Sequence, residues 1–257
     1  MVVKIVEFKK IRVKDGIFIE GMPGVGNVAM VAIGNLIEEL KPLHFADLLT
    51  SHFNSIVLIK PNAEIQILKG SFYYLKAKRD VIIYFGDQQA NTPEGTFELI
   101  NEILKYIKKI GVKEVLTFGG LQVSEIINRP PKIYGAVSEE SLKKKYEKYG
   151  VIFDETSKRV GSIIGAIGML AGYAKYYGLY GASFLVESVP THFVPDHRGA
   201  KALLELICKI LEIEFDFKKL DKKIREQEEL LEKLKMRTTL KEVEEEKEEK
   251  KRLEYIQ

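Results

Sequence analysis

The residues best placed to do chemistry lie in one run near the N-terminus, Glu20-Gly21-Met22-Pro23-Gly24-Val25-Gly26-Asn27-Val28, between a short apolar stretch and an amphipathic one. A strand that enters a glycine turn and leaves it as a helix can hold an anion on free backbone amides at the positive end of the helix dipole. Gly21, Gly24, Gly26 and Asn27 would form that cradle. The spacing is G-x-x-G-x-G, not the dinucleotide pattern G-x-G-x-x-G. Pro23 removes one amide donor, and no Gly-Lys-Ser/Thr follows, so this is not a P-loop. The same residues serve a tight turn that needs positive φ, with no ligand at all. Both readings stay open on the sequence.

Two polar clusters follow apolar runs. Asp87-Gln88-Gln89 comes after Val81–Phe85, and Gly119-Gly120-Leu121-Gln122 comes after Glu114–Phe118. In open α/β sheets ligands sit just past the carboxyl ends of the strands. These clusters and the glycine turn support an alternative function, a nucleotide- or nucleoside-binding enzyme or sensor. Of the four histidines, His44, His52, His192 and His197, none forms a helical His-x-x-x-His pair or a His-x-Glu signature. No metal site and no cofactor are expected. Ser162, in Gly161-Ser162-Ile163-Ile164-Gly165, lacks the Gly-x-Ser-x-Gly elbow. Cys208, the single cysteine, lies in an apolar run and reads as a buried small hydrophobe. No nucleophile, base and acid declare themselves together, so the expectation is a protein that is not an enzyme.

The elements that must carry these residues alternate along residues 1–212. Residues 16–20 form a short strand, followed by the turn and a helix from about Asn27 to Leu40. Ser55–Lys60 and Glu64–Lys76 read as strands, the second broken at Gly70. Val81–Phe85 is uncharged and β-rich, as a central strand should be. Thr92 and Pro93 start a helix that Gly111 stops. Further strands are Glu114–Phe118, Ile133–Val137 and Leu179–Val186. Ser138 is expected to cap a helix, and Asp196 to cap a last one ending near Glu212. Gly161, Gly165, Gly168 and Gly172 recur at helical spacing, which predicts one small-residue face for close packing. This order predicts an α/β fold with a mainly parallel or mixed central sheet flanked by helices.

Bulk composition narrows the partners. With 257 residues and 46% hydrophobic content, one large domain plus an appendage can be built. Forty basic against 37 acidic side chains leave a net charge of only +3, which gives no footprint for nucleic acid or an anionic membrane. The N-terminus lacks a signal-peptide core, and the longest weakly polar stretch, Val160–Ala174, is too short to span a bilayer. The expected location is cytoplasmic.

Residues 213–257 form a second region, a charged helical tail. From Lys218 to Gln257, 25 of 40 residues are charged. That composition suits a solvated, protruding helix and excludes a second core. Leu220, Ile224, Gln227, Leu231 and Leu234 make a short heptad seam of the coiled-coil kind, expected to pack on another subunit or on the body. The chain ends Leu253-Glu254-Tyr255-Ile256-Gln257. Leu253, Tyr255, Ile256 and Gln257 form a candidate docking peptide on a charged stem.

Three segments together resemble the PAC2 family, the proteasome assembly chaperone proteins and their archaeal relatives. They are residues 21–29 (Gly-Met-Pro-Gly-Val-Gly-Asn-Val-Ala), Thr117-Phe118-Gly119-Gly120, and Glu187-Ser188-Val189-Pro190-Thr191-His192-Phe193. The resemblance covers about residues 10–212. It implies a fold similar to purine nucleoside phosphorylases without a known enzymatic role. It further implies a homo-oligomer, of about four or five subunits by analogy with archaeal relatives, with protruding C-terminal helices. Some relatives resemble proteasome activators in ending hydrophobic–Tyr–any, a motif that inserts between proteasome α-subunits. Here Ile256 occupies the tyrosine position, and Tyr255 stands one place early behind Glu254.

Overall fold

The computed structural model describes residues 2–123, 129–188 and 195–229. The chain divides into two compact units, Met1–Phe215 and Asp216–Gln257.

The first unit is built on an eight-stranded sheet. In chain order its elements begin with β1 (Val3–Glu7), β2 (Gly16–Gly21), α1 (Val28–Leu40) and β3 (Leu43–Thr50). A hairpin, β4 (Val57–Ile59) and β5 (Ile65–Ile67), precedes β6 (Gly70–Leu75), β7 (Val81–Gly86), α2 (Pro93–Ile110), β8 (Val112–Gln122) and β9 (Ile133–Val137). The remaining elements are α3 (Lys143–Glu147), α4 (Thr156–Arg159), α5 (Ala166–Ala174), β10 (Tyr180–Ser188) and α6 (His197–Leu211). The strand order is β1-β3-β6-β7-β2-β8-β10-β9. The four inner strands β7, β2, β8 and β10 are parallel. β1, β3 and β6 extend the sheet as antiparallel neighbours on one side, and β9 closes the other. The sheet is therefore mixed, as expected.

Alternation along β2 divides the core. Phe18 faces a cluster with Ile82, Tyr84, Val115 and the apolar faces of α2 and α5. Ile17 and Ile19 point the other way, where α1 packs on β2 and on α6. α2 shows why the sequence is helical there. The Thr92 side chain accepts the Gly95 N–H at 3.0 Å, Pro93 sits in the first turn, and Leu99, Ile100, Ile103, Leu104, Ile107 and Ile110 line one fully buried stripe. Each such side chain contributes about 1.5–3 kcal/mol by leaving water. Asp196 caps α6 in the same way, accepting the Gly199 N–H at 2.8 Å.

Several expectations need correction. Gly119-Gly120-Leu121-Gln122 is not a loop after a strand: β8 continues through it, because β10 pairs alongside as far as Ser188 opposite Gln122. Gly161 and Gly165 do not share a helical face with Gly168 and Gly172. Both have positive φ and precede α5, so the four glycines form no single stripe. Ser138 caps no helix: its hydroxyl accepts the Gly181 N–H at 2.9 Å, fastening β9's end to β10. Two strands not anticipated from the sequence, β1 and β3, carry charged or short polar residues among their apolar ones; β1 pairs with β3, and β3 pairs in turn with β6.

Candidate functional site

The parallel strands all end at the same edge, and the glycine turn sits there between their termini. β2 delivers Gly21, and residues 25–27 form a 3-10 turn into α1. Gly26 has φ +61, and a methyl group there would overlap the Ser188 hydroxyl at the end of β10. Gly120 matters for a different reason: a side chain there would collide with the Val25 carbonyl, so the turn rests directly on β8.

Of the polar cluster Asp87-Gln88-Gln89 singled out in sequence, Gln89 reaches this turn. Gln89, past the end of β7, donates its amide N–H to the Pro23 carbonyl at 2.6 Å, and its oxygen accepts the Ala166 N–H at 3.3 Å. The Asp196 backbone N–H donates to the Gly26 carbonyl at 2.8 Å, and the Ser188 hydroxyl donates to the Asp196 carboxylate at 2.8 Å. The Asn27 N–H donates to the Gly24 carbonyl at 2.9 Å. Asn27 itself takes a left-handed conformation, and its side chain does not cap α1. Asp87 and Gln88 work as braces: Asp87 exchanges bonds with the Lys69 backbone, and Gln88 accepts the Asn54 N–H.

Beneath the turn lies Glu20, to which the glycine pattern assigns no role. Glu20 is fully buried, and one of its oxygens accepts the Phe118 N–H at 3.0 Å while the other has no partner. Burial pushes its carboxyl up to about 8, against the opposing pull of the Phe118 and Met22 N–H groups. Tyr84 lies beside it on β7, and burial together with Glu20 raises that phenol too. On β8 and β10, Thr117 pairs with Ser183. The hydroxyls of Tyr84, Thr117 and Ser183 are buried without partners, so polar groups cross the four parallel strands inside the core. The signal in sequence was a carboxylate within the otherwise apolar strand residues 16–21.

Elsewhere, buried carboxylates are paired. Glu114 meets Lys145, Tyr146 and Arg79; burial opposes its ionisation, but these partners outweigh that and hold it below the usual range. Arg129 grips Glu187 with two bonds of 2.6 and 2.9 Å and so lowers its carboxyl. The histidines are dispersed: His44 pairs with Asp47 at 2.7 Å and His52 with Glu98 at 2.9 Å. Among the described residues, no three His, Cys, Asp or Glu side chains group as metal ligands. Ser162 lines an open cavity of about 360 Å³ with Val137, Lys143 and Phe153, remote in sequence from the turn. Burial raises the Cys208 thiol to about 11. No helix among the described residues is long and apolar enough to cross a membrane.

In the second unit, residues 218–229 are helical. Leu220 is buried and Ile224 and Gln227 are half-buried, while most of their neighbours are exposed. Leu231, Leu234, Leu253, Tyr255, Ile256 and Gln257 lie outside the described residues, as does His192.

A mixed α/β sheet with helices on both faces, and with its carboxyl-end loops bonded to one another, defines the class. The chain belongs to the PAC2 family, whose pattern it matches over residues 18–235. It is 32% identical over 222 residues to an uncharacterized protein of Methanocaldococcus jannaschii, an alignment covering 86% of this chain and 84% of that one. Among solved structures it is similar to the Pyrococcus furiosus protein PbaB, described as an archaeal proteasome activator. That match has 37% identity and a TM-score of 0.84, and covers 91% of this chain and 99% of PbaB. It is also similar to Pyrococcus furiosus PbaA, described as an archaeal homolog of proteasome-assembly chaperone, with 26% identity and a TM-score of 0.76 over 96% of this chain and 98% of PbaA.

Proposed function

We propose that this chain is a non-enzymatic adaptor of the proteasome-assembly-chaperone type. In this reading residues 1–212 build a cytoplasmic homo-oligomer, and residues 213–257 form tails that engage proteasome α-subunits. The observation that carries it is the likeness to PbaB, which extends over nearly the whole of both chains. The use of Gln89, Ser188 and Asp196 to hold the glycine turn supports a structural role for that turn.

The docking element in this reading is Leu253, Tyr255, Ile256 and Gln257, and Leu220, Ile224, Leu231 and Leu234 order the stem behind it. One tail with three apolar side chains binds weakly once ordering costs are subtracted, and several tails on one oligomer gain avidity. Deleting Leu253–Gln257 is expected to leave folding and oligomer mass unchanged and to weaken binding to an archaeal proteasome α-ring by about tenfold or more. Undiminished binding by the truncated chain, measured by surface plasmon resonance, would refute the tail as docking element.

A second reading, a nucleotide or nucleoside sensor, draws on the glycine turn's place at the carboxyl end of the sheet. It requires thermal stabilisation by ATP, a nucleoside or phosphate, about 2.7 kcal/mol at a hundred times the dissociation constant. No shift with any of them removes it.

A further inference from the structure

β9 is an edge strand of the eight-stranded sheet, and its outer edge is covered only in part. On the inner side the Glu187 N–H donates to the Lys132 carbonyl at 3.0 Å and the Ser138 N–H to the Gly181 carbonyl at 2.8 Å. The antiparallel register between those two pairs puts Tyr134 and Ala136 in the same ladder with β10. The backbone groups of Ile133, Gly135 and Val137 therefore point away from β10. Ile152 takes up the first of them: its N–H donates to the Ile133 carbonyl at 2.9 Å, and its carbonyl accepts the Gly135 N–H at 2.8 Å. The chain then turns off at Phe153, whose carbonyl accepts the Thr156 N–H at 3.1 Å. The Gly135 carbonyl and the Val137 N–H are left without a partner among the described residues.

Both residues line the open cavity of about 360 Å³ that also holds Ser162. Val137, Phe153, Val160 and Ile163 give it apolar walls. Gly135 lets the Phe153 ring lie against the strand, since a methyl group there would overlap the ring. Lys143 lines the same cavity, and its partner is Glu140 at 3.1 Å, a side chain 88% exposed. So exposed a pair is weak, and a second carboxylate can displace it. Each feature selects part of a partner. The unpaired strand edge selects an extended backbone, the apolar walls an uncharged side chain, and Lys143 an anion.

We propose that the edge of β9 binds the C-terminus of another polypeptide, an extended peptide ending in an apolar residue, which adds to the sheet in parallel with β9. One peptide residue accepts the Val137 N–H and donates to the Gly135 carbonyl. That repeats, one step further along, the pair of bonds Ile152 makes with Gly135 and Ile133. A parallel segment runs in the direction in which β9 leads on to Lys143, so its terminal carboxylate meets that ammonium while an apolar side chain enters the cavity. The site is distinct from the glycine turn and from the C-terminal tail, and it depends on neither reading of function above.

Selection on the full chain from random peptides displayed with free C-termini tests this. Peptides ending in an apolar residue should be enriched. A synthetic copy of one should bind about tenfold more tightly as the free acid than as the C-terminal amide, and Lys143→Gln should erase that difference. Val137→Pro removes the outward N–H but spares the ladder to β10, so binding should fall by about tenfold in a chain whose circular dichroism is unchanged. Hydrogen exchange covers the case in which that variant misfolds. In the free wild-type chain the Val137 amide should exchange faster than that of Ala136, which is bonded to Ser183, and the peptide should slow it. No enriched peptide, equal binding of acid and amide, or a Val137 amide already protected in the free chain overturns the proposal. If decanoate shifts the Gly135 and Val137 resonances and no peptide does, the cavity takes small amphiphilic carboxylates and strand addition is wrong.

Discussion

Glu20 accepts the backbone N–H of Phe118 at 3.0 Å, so the end of β2 is tied to β8 through a fully buried carboxyl group. The bond lies directly under the glycine turn. It places an ionisable group where water cannot solvate its charge, which makes the fold's stability depend on pH.

Burial raises the Glu20 carboxyl from its ordinary 4.5 to about 8. Below 4.5 folded and unfolded chains are both protonated. Between 4.5 and 8 the unfolded chain has released a proton that the folded chain retains, so stability falls as pH rises through that window. Glu20→Gln keeps the acceptor for Phe118 and removes the titration. Urea unfolding should show the variant gaining on wild type between pH 5 and 8 by on the order of 4 kcal/mol. Parallel pH profiles would show that Glu20 does not titrate in this way.

The two neighbouring glycines of the turn should behave differently. Gly26 has φ +61 and abuts Ser188, so Gly26→Ala should cost about 1 kcal/mol for the backbone alone, and more for the overlap. Gly24 is extended at φ −171, and a methyl there meets nothing closer than 3.9 Å. Gly24→Ala should stay within about 0.5 kcal/mol of wild type. Equal losses in thermal unfolding would contradict the geometry. A fully stable Gly26→Ala protein that failed to bind its partner would point to a ligand site at the turn.

Glu114 has the opposite pH sign. Its carboxyl is held below 4.5, so its stabilisation is present at neutral pH and lost as pH falls through the lowered value. Glu114→Gln should flatten the acid limb of the stability profile. At pH 7 it should cost about 2 kcal/mol or more, because Lys145 and Arg79 lose a buried partner but remain partly solvated. An acid limb as steep as in wild type would assign it to other carboxylates.

The chain's last residues allow a gain-of-function test of the proposed docking. Changing Tyr255→Leu together with Ile256→Tyr converts the ending to hydrophobic–Tyr–any. Binding to an archaeal proteasome α-ring is expected to tighten about tenfold, equivalent to one well-placed side chain. Unchanged affinity would mean that the α-ring pocket does not read this ending.

Local chemistry was legible in the sequence wherever a residue acts on its own neighbours. Thr92 and Asp196 cap helices three residues ahead of their partners, Gly111 stops α2, and the uncharged run at Val81 marks an inner strand. The glycine turn, too, was recognisable as a strand-to-helix connection. Tertiary structure alone decided what the turn rests on. Nothing within residues 21–27 specifies that the Gln89 side chain will take up the Pro23 carbonyl and the Asp196 backbone N–H the Gly26 carbonyl, since both arrive from segments 60 or more residues away. β1 became a strand by pairing with β3, and β3 by pairing with both β1 and β6, while β8 ran on through two glycines because β10 supplied its hydrogen bonds. Glu20 was visible as an acid in an apolar strand, but its raised carboxyl is a property of the closed sheet: only β7, β8 and the covering helices exclude the water that would otherwise keep it ionised.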